Sequence, residues 1–136
     1  IKKDGPDAVQ TDGLIGKPAP LHATAAGKAV LSELPESRLD EIELSAYTEA
    51  TITDRETLRG EIAEVRETGV AYNDMESLVG LRAVGCPINI EEGVVGAISI
   101  SGPAERISDA YFDEELPAML RSAANEIELN LSEPGY

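Results

Sequence analysis

The stretch Gly93–Ser101, GVVGAISIS, decides how the rest of the chain must be arranged around it. Residues two apart along a strand share a face. Ile98 and Ile100 therefore point one way, and Ala97, Ser99 and Ser101 point the other. Neither set carries a charge, so the pattern predicts a central strand covered on both faces. The aliphatic face needs a packed layer, which the C-terminal helix is expected to supply. The small, hydroxyl-bearing face has the composition of a cavity wall rather than of a tight aliphatic core.

Working outward, two further strand-like runs precede this one, VAYND at 70–74 and GLRAVGCPIN at 80–89. INIEEG, ending at Gly93, has the length of a hairpin loop between the second run and the third. Upstream, the apolar face Leu58, Ile62 and Val65 marks a helix. Thr53 and Glu56 have capping-box spacing at its start, and Gly69 stands where a left-handed residue ends it. A shorter helix is expected from Ala23 or Thr24 to about Glu33, with Thr24 as cap, and another over 35–42 with Leu39 and Ile42 inward. Ser108 is expected to cap a C-terminal helix carrying Leu116, Leu120, Ala124, Ile127 and Leu131, with Pro117 as a kink or its true first turn. Near the start, Ala8–Ile15 reads as strand broken by the Asp12-Gly13 turn.

At 136 residues the chain is one domain's worth, able to bury roughly two-thirds of its unfolded surface. It opens on IKKDGPDAVQ, without Met, and the expectation is a cut N-terminus with further protein upstream. Its 11 basic and 26 acidic residues leave a net charge of −15. Such a surface repels phosphate backbones and anionic membranes, which argues against direct nucleic-acid or membrane binding. The acids are scattered along helices rather than gathered in a tail, a distribution that suits a salt-rich, halophilic cytoplasm. Cys86 is the sole cysteine, which excludes an internal disulfide and agrees with a reducing compartment. There is no 18-residue apolar run, so a cytoplasmic location is expected.

The chemistry-bearing motifs are sparse. Gly27-Lys28 lacks the earlier glycine of a phosphate-binding loop, where His22 stands, and Ala29 replaces the following Ser or Thr. AISISGP lacks the glycine two places before Ser101 that a nucleophile elbow needs, and the one histidine, His22, is far away in sequence. Asn73, Asp74 and Glu76 are oxygen ligands without a metal-loop pattern, so no metal and no cofactor is expected. Cys86 reads as a buried small hydrophobe, His22 as a capping or packing residue, and Arg82 as the partner of an acid. No catalytic residue is assigned.

Three stretches together, PLHATAAGKAVLSEL (20–34), GVAYNDMESLVGLRAVGCPI (69–88) and GVVGAISISGPAERI (93–107), resemble the effector-binding domain of IclR-type transcription regulators. The resemblance implies an α+β, GAF-like domain over residues 1–136, an antiparallel sheet with helices on both faces. It also implies an upstream winged-helix domain, missing here, through which alone DNA would be bound. A ligand-sensing and oligomerising role follows, as homodimer or tetramer, with a small carboxylate as effector. By the same resemblance, the backbone amides of Ala25 and Ala26 hold the carboxylate and Ser99 and Ser101 hydrogen-bond it. Asn73 and Ala83 are further pocket positions, expected on its rim, where some members carry Asp and Cys. Lys28 is expected to lie outside the ligand contacts, and Gly27 to permit close packing. The rival readings are a small enzyme using the same pocket and an interaction-only domain with a vestigial cavity.

Overall fold

The computed structural model describes residues 20–132, so the strand expected at 8–15 lies outside the described residues. The elements are α1 (Ala25–Leu31), α2 (Arg55–Thr68), β1 (Ala71–Asp74), β2 (Leu81–Ile90), β3 (Gly93–Pro103) and α3 (Leu116–Ser132). Short 3-10 turns cover Glu36–Glu41 and Ala104–Arg106, and a π-helical stretch, Tyr111–Glu115, leads into α3. The strands form an antiparallel sheet in the order β1-β2-β3, with helices on both faces, an α+β fold.

Turn chemistry sets the strand limits. Gly93 takes φ 128°, which lets β2 and β3 fold back on each other across Glu91 and Glu92. Gly69 closes α2 at φ 79° and returns its N–H to the Val65 carbonyl. The N-cap of α2 is Asp54 rather than Thr53: its carboxylate accepts from Thr57 N at 2.9 Å. Both residues suit a cap, and the longer acceptor one place nearer the helix takes the position. That Thr57 N–H bond first, and then the Thr57 hydroxyl donating to the same oxygen at 2.9 Å, hold the Asp54 carboxyl below its ordinary range.

Alternation along β2 divides the core. Val84, Cys86 and Ile88 pack under Phe112, Leu116, Leu120 and Ala124, and Ile98 joins them from β3, so α3 does cover the aliphatic face. On the opposite face α1 lies on the sheet, with Ala29, Val65, Ala71 and Ala97 in one cluster. Leu31, Leu39, Ile52, Leu58 and Ile62 form a second core between α1, α2 and the Glu36–Glu41 turn.

Among the described residues β2 stands between β1 and β3, and Ile100 on β3 is 38% exposed. An uncharged strand face says nothing about which strand stands beside it, so alternation alone does not separate a centre from an uncharged edge. In α3, Pro117 is buried in the first turn, but the apolar stripe outruns the sheet: Ile127 and Leu131 are exposed.

Candidate functional site

Strand register gathers four of the six expected site side chains. Asn73 stands opposite Ala83, and Ala83 opposite Ser101. In the parallel row, Ala71 faces Gly85 and Gly85 faces Ser99. These rows lie two residues apart along each strand, so they share a face. It is the face that carries α1, because a Cβ on Gly85 would come within 2.8 Å of the Ala25 carbonyl. The absent side chain lets the first turn of α1 rest directly on β2.

Local sequence explains the helix start. The Thr24 hydroxyl accepts from Gly27 N at 3.1 Å and donates to the Pro20 carbonyl at 3.1 Å. A Cβ on Gly27 would meet Leu21 Cα at 2.6 Å, so glycine is needed for the chain to fold back here. The amides of Ala25 and Ala26 lie between the cap and the Gly27 N–H, among the first-turn donors that a helix cannot satisfy internally. Ala25 is buried and Ala26 half-buried. The face is closed on the β1 side and open on the β3 side: Asn73 and Ala83 are buried, Ser101 is half-buried and Ser99 exposed. Asn73 is set into the sheet, 1% exposed. Its Oδ1 accepts from Glu76 N at 2.8 Å, and its Nδ2 donates to the Ser77 hydroxyl at 2.9 Å.

Lys28 is the residue that sequence reasoning missed. Its side chain has no solvent exposure, and its ammonium donates to Glu61 Oε2 at 2.6 Å, Glu76 Oε1 at 2.6 Å and the Tyr72 carbonyl at 2.8 Å. It therefore ties α1 to α2, to β1 and to the turn after β1. Burial pushes the Glu76 carboxyl up, and the Lys28 charge opposes that rise. The available signal was weak: a lysine at the fourth position of a helix with alanine or glycine on either side.

Arg82 and His22 are each tied into the fold, although the buried His22 Nδ1 has no hydrogen-bond partner. Arg82 pairs with Asp74 at 3.0 Å and Asp109 at 2.8 Å, donates to the Ile107 carbonyl, and lies 4.5 Å over the Phe112 ring. Asp74 and Glu76 are thereby held by different cations, so with Asn73 they do not converge on a metal. His22 is buried, and its Nε2 donates to the Ser45 carbonyl at 2.8 Å. Burial raises the Cys86 thiol to about 11. Two open cavities of about 510 and 540 Å³ lie elsewhere, one over Val65, Tyr72 and Pro117, the other beside His22 and Tyr47. Neither is lined by the six expected site residues. Among the described residues no helix is long and apolar enough to cross a membrane.

Comparison with known proteins gives the family and the fold. Residues 1–129 match the family model described as bacterial transcriptional regulator IclR C-terminal. The chain is 41% identical over 119 residues to a probable HTH-type transcriptional regulator, ArcR, of Halobacterium salinarum, covering 84% of this chain and 45% of that protein. Among solved structures it is similar to the IclR of Thermotoga maritima, with a TM-score of 0.76 and 34% identity, over 83% of this chain and 47% of that one. It is also similar to the inducer-binding domain of a PobR double mutant from Acinetobacter in complex with 3-hydroxybenzoic acid. There the TM-score is 0.76 and the identity 27%, over 85% of this chain and 71% of that one. The chain spans less than half the length of the ArcR relative.

Proposed function

This chain belongs to the IclR family of bacterial transcriptional regulators, and from that premise we propose that it senses a small organic acid held between the sheet face and the start of α1. The observation that carries the reading is the shared face: Asn73, Ala83, Ser99 and Ser101 lie together where Gly85 seats Ala25. Such a face offers a carboxylate several neutral donors: the Ala25 and Ala26 amides, the Ser99 and Ser101 hydroxyls, and the second N–H of Asn73. The nearby cation, Lys28, is spent on Glu61 and Glu76, so the anion is held by dipoles rather than by a lysine. Occupancy would bias the arrangement of a homodimer or tetramer, and through it the DNA-reading domains. The exposed Met119, Ile127 and Leu131 on α3 are apolar surface of the kind such an assembly covers.

The test is thermal denaturation with a panel of small carboxylic acids. A ligand at ~100 times its dissociation constant stabilises the fold by ~2.7 kcal/mol. Replacing Ser99 and Ser101 together by valine suits the strand and removes two hydroxyl donors. The double variant is expected to fold and to lose most of the ligand-induced shift. If it keeps the whole shift, the acid binds elsewhere.

A further inference from the structure

We infer that the turn after β1, Met75–Gly80, reports occupancy of the sheet face through the side chain of Asn73; this rests on the reading of that face as the acid site. Asn73 belongs to both places. By register it lies in the row with Ala83 and Ser101, and it is 1% exposed. By hydrogen bonding it belongs to the turn, through Glu76 N and the Ser77 hydroxyl. A carboxamide has two N–H groups and two lone pairs on one rigid plane, and the turn uses one of each. A ligand oxygen that accepts from the second N–H acts on the same rigid plane that carries the bonds to Glu76 and Ser77, so those bonds feel the ligand.

The other anchors of the turn stand apart from that row. Thr48 Oγ1 donates to the Met75 carbonyl at 2.7 Å, and Thr51 Oγ1 to the Glu76 carbonyl at 2.5 Å. Lys28 holds the Glu76 carboxylate at 2.6 Å, and Met75 N donates to the Leu81 carbonyl at 2.8 Å. Together they keep Met75 at φ 61°, a left-handed conformation that a non-glycine residue adopts only when its surroundings impose it. Asn73 is the one of these anchors that belongs to the row with Ala83 and Ser101. Beyond it the turn presents Leu78 and Val79, 51% and 76% exposed, so a change at Asn73 reaches the molecular surface within a few residues.

The experiment is backbone-amide NMR of the full chain titrated with acetate, succinate and 3-hydroxybenzoate, which span small, dianionic and aromatic acids. With an acid that binds, the amides of Ala83 and Ser101 and those of Glu76 and Ser77 are expected to shift with one common midpoint. The Glu76 amide should change its hydrogen-exchange rate roughly two- to tenfold, the equivalent of one hydrogen bond. In Ser77→Ala the face should still titrate while the response of the turn falls away, and Ser77→Thr, which keeps the hydroxyl, should restore it. Movement at Ala83 and Ser101 with Glu76 and Ser77 unmoved overturns the coupling and leaves the acid site standing. No movement at Ala83 or Ser101 with any of the three acids removes the acid site, and the coupling with it.

Discussion

A lysine ammonium out of contact with water is stable only where its charge is met, and Lys28 meets two carboxylates and a carbonyl within 2.8 Å. Removing the cation alone leaves the Glu76 carboxylate buried without an opposite charge, a change that costs about 3–5 kcal/mol in comparable buried pairs. Lys28→Met is expected to lose stability on that scale, and Lys28→Met with Glu76→Gln to recover part of it, both read by urea denaturation. The pH dependence has a definite sign. Without Lys28 the folded-state pKa of Glu76, already raised by burial, rises further above its unfolded value. The folded state then binds a proton that the unfolded state releases, so the deficit of Lys28→Met should shrink as pH falls toward the ordinary carboxylate range. A deficit equal at pH 8 and pH 5 would show that Glu76 does not feel the lost charge. Cys86 is the opposite case, legible from its neighbours: an apolar strand position next to Pro87 reads as core, and the thiol is buried and raised to about 11. It should resist a thiol reagent at pH 8 in the native state and react at once in denaturant; rapid native labelling would contradict the packing under α3.

Between elements, the contact that matters most is α1 on β2, and it depends on Gly85. An alanine there brings its Cβ to 2.8 Å from the Ala25 backbone, which cannot rotate away as a side chain can. Gly85→Ala is expected to cost about 1–3 kcal/mol, the range of overpacked cores, and to weaken acid binding by lifting the helix start. Gly96→Ala, where a Cβ has open space, is the control and should bind as the parent does. Equal melting temperatures for the two variants would disprove close seating. This scale also shows what the amino-acid sequence reveals and what it hides. Elements were legible because their ends are local: Gly69 and Gly93 stand where positive φ is required, and Leu58, Ile62 and Val65 keep one helical face. The gathering of Asn73, Ala83, Ser99 and Ser101 on one face was legible through alternation and family resemblance together. The order of the described strands was not, since an uncharged strand leaves its neighbours unspecified. Nor was the way β1 is finished: Val70 N–H goes to Thr68, the Tyr72 carbonyl to Lys28 and the Asp74 N–H to Glu76. These side chains occupy backbone groups that would otherwise invite another strand, and Lys28 reaches its partners across 33 to 48 residues, a distance no spacing rule covers.

For the whole molecule, the dominant quantity is a net charge of −15 on 136 residues. The ion pairs do little to relieve it, since several join exposed groups, such as Arg38 with Glu41 and Arg59 with Asp40, and contribute little in water. Repulsion among the remaining acids opposes the compact state, and it acts over the screening length, ~10 Å at 0.1 M salt and ~3 Å at 1 M. The melting temperature is therefore expected to rise between 0.1 and 2 M KCl. Screening has a recognisable form: the rise should be steepest at low salt and flatten once the screening length falls below the spacing of surface charges. Salting-out of apolar surface would instead keep growing with concentration. The adjacent, exposed Glu91 and Glu92 of the β2–β3 hairpin provide the internal check, because they repel each other without contacting the core. Glu91→Gln with Glu92→Gln should raise the melting temperature in 0.1 M KCl and leave it nearly unchanged in 2 M. A melting temperature flat across that range, or a variant gain that persists undiminished at 2 M, would mean that the acidic surface is not what limits the stability of this fold.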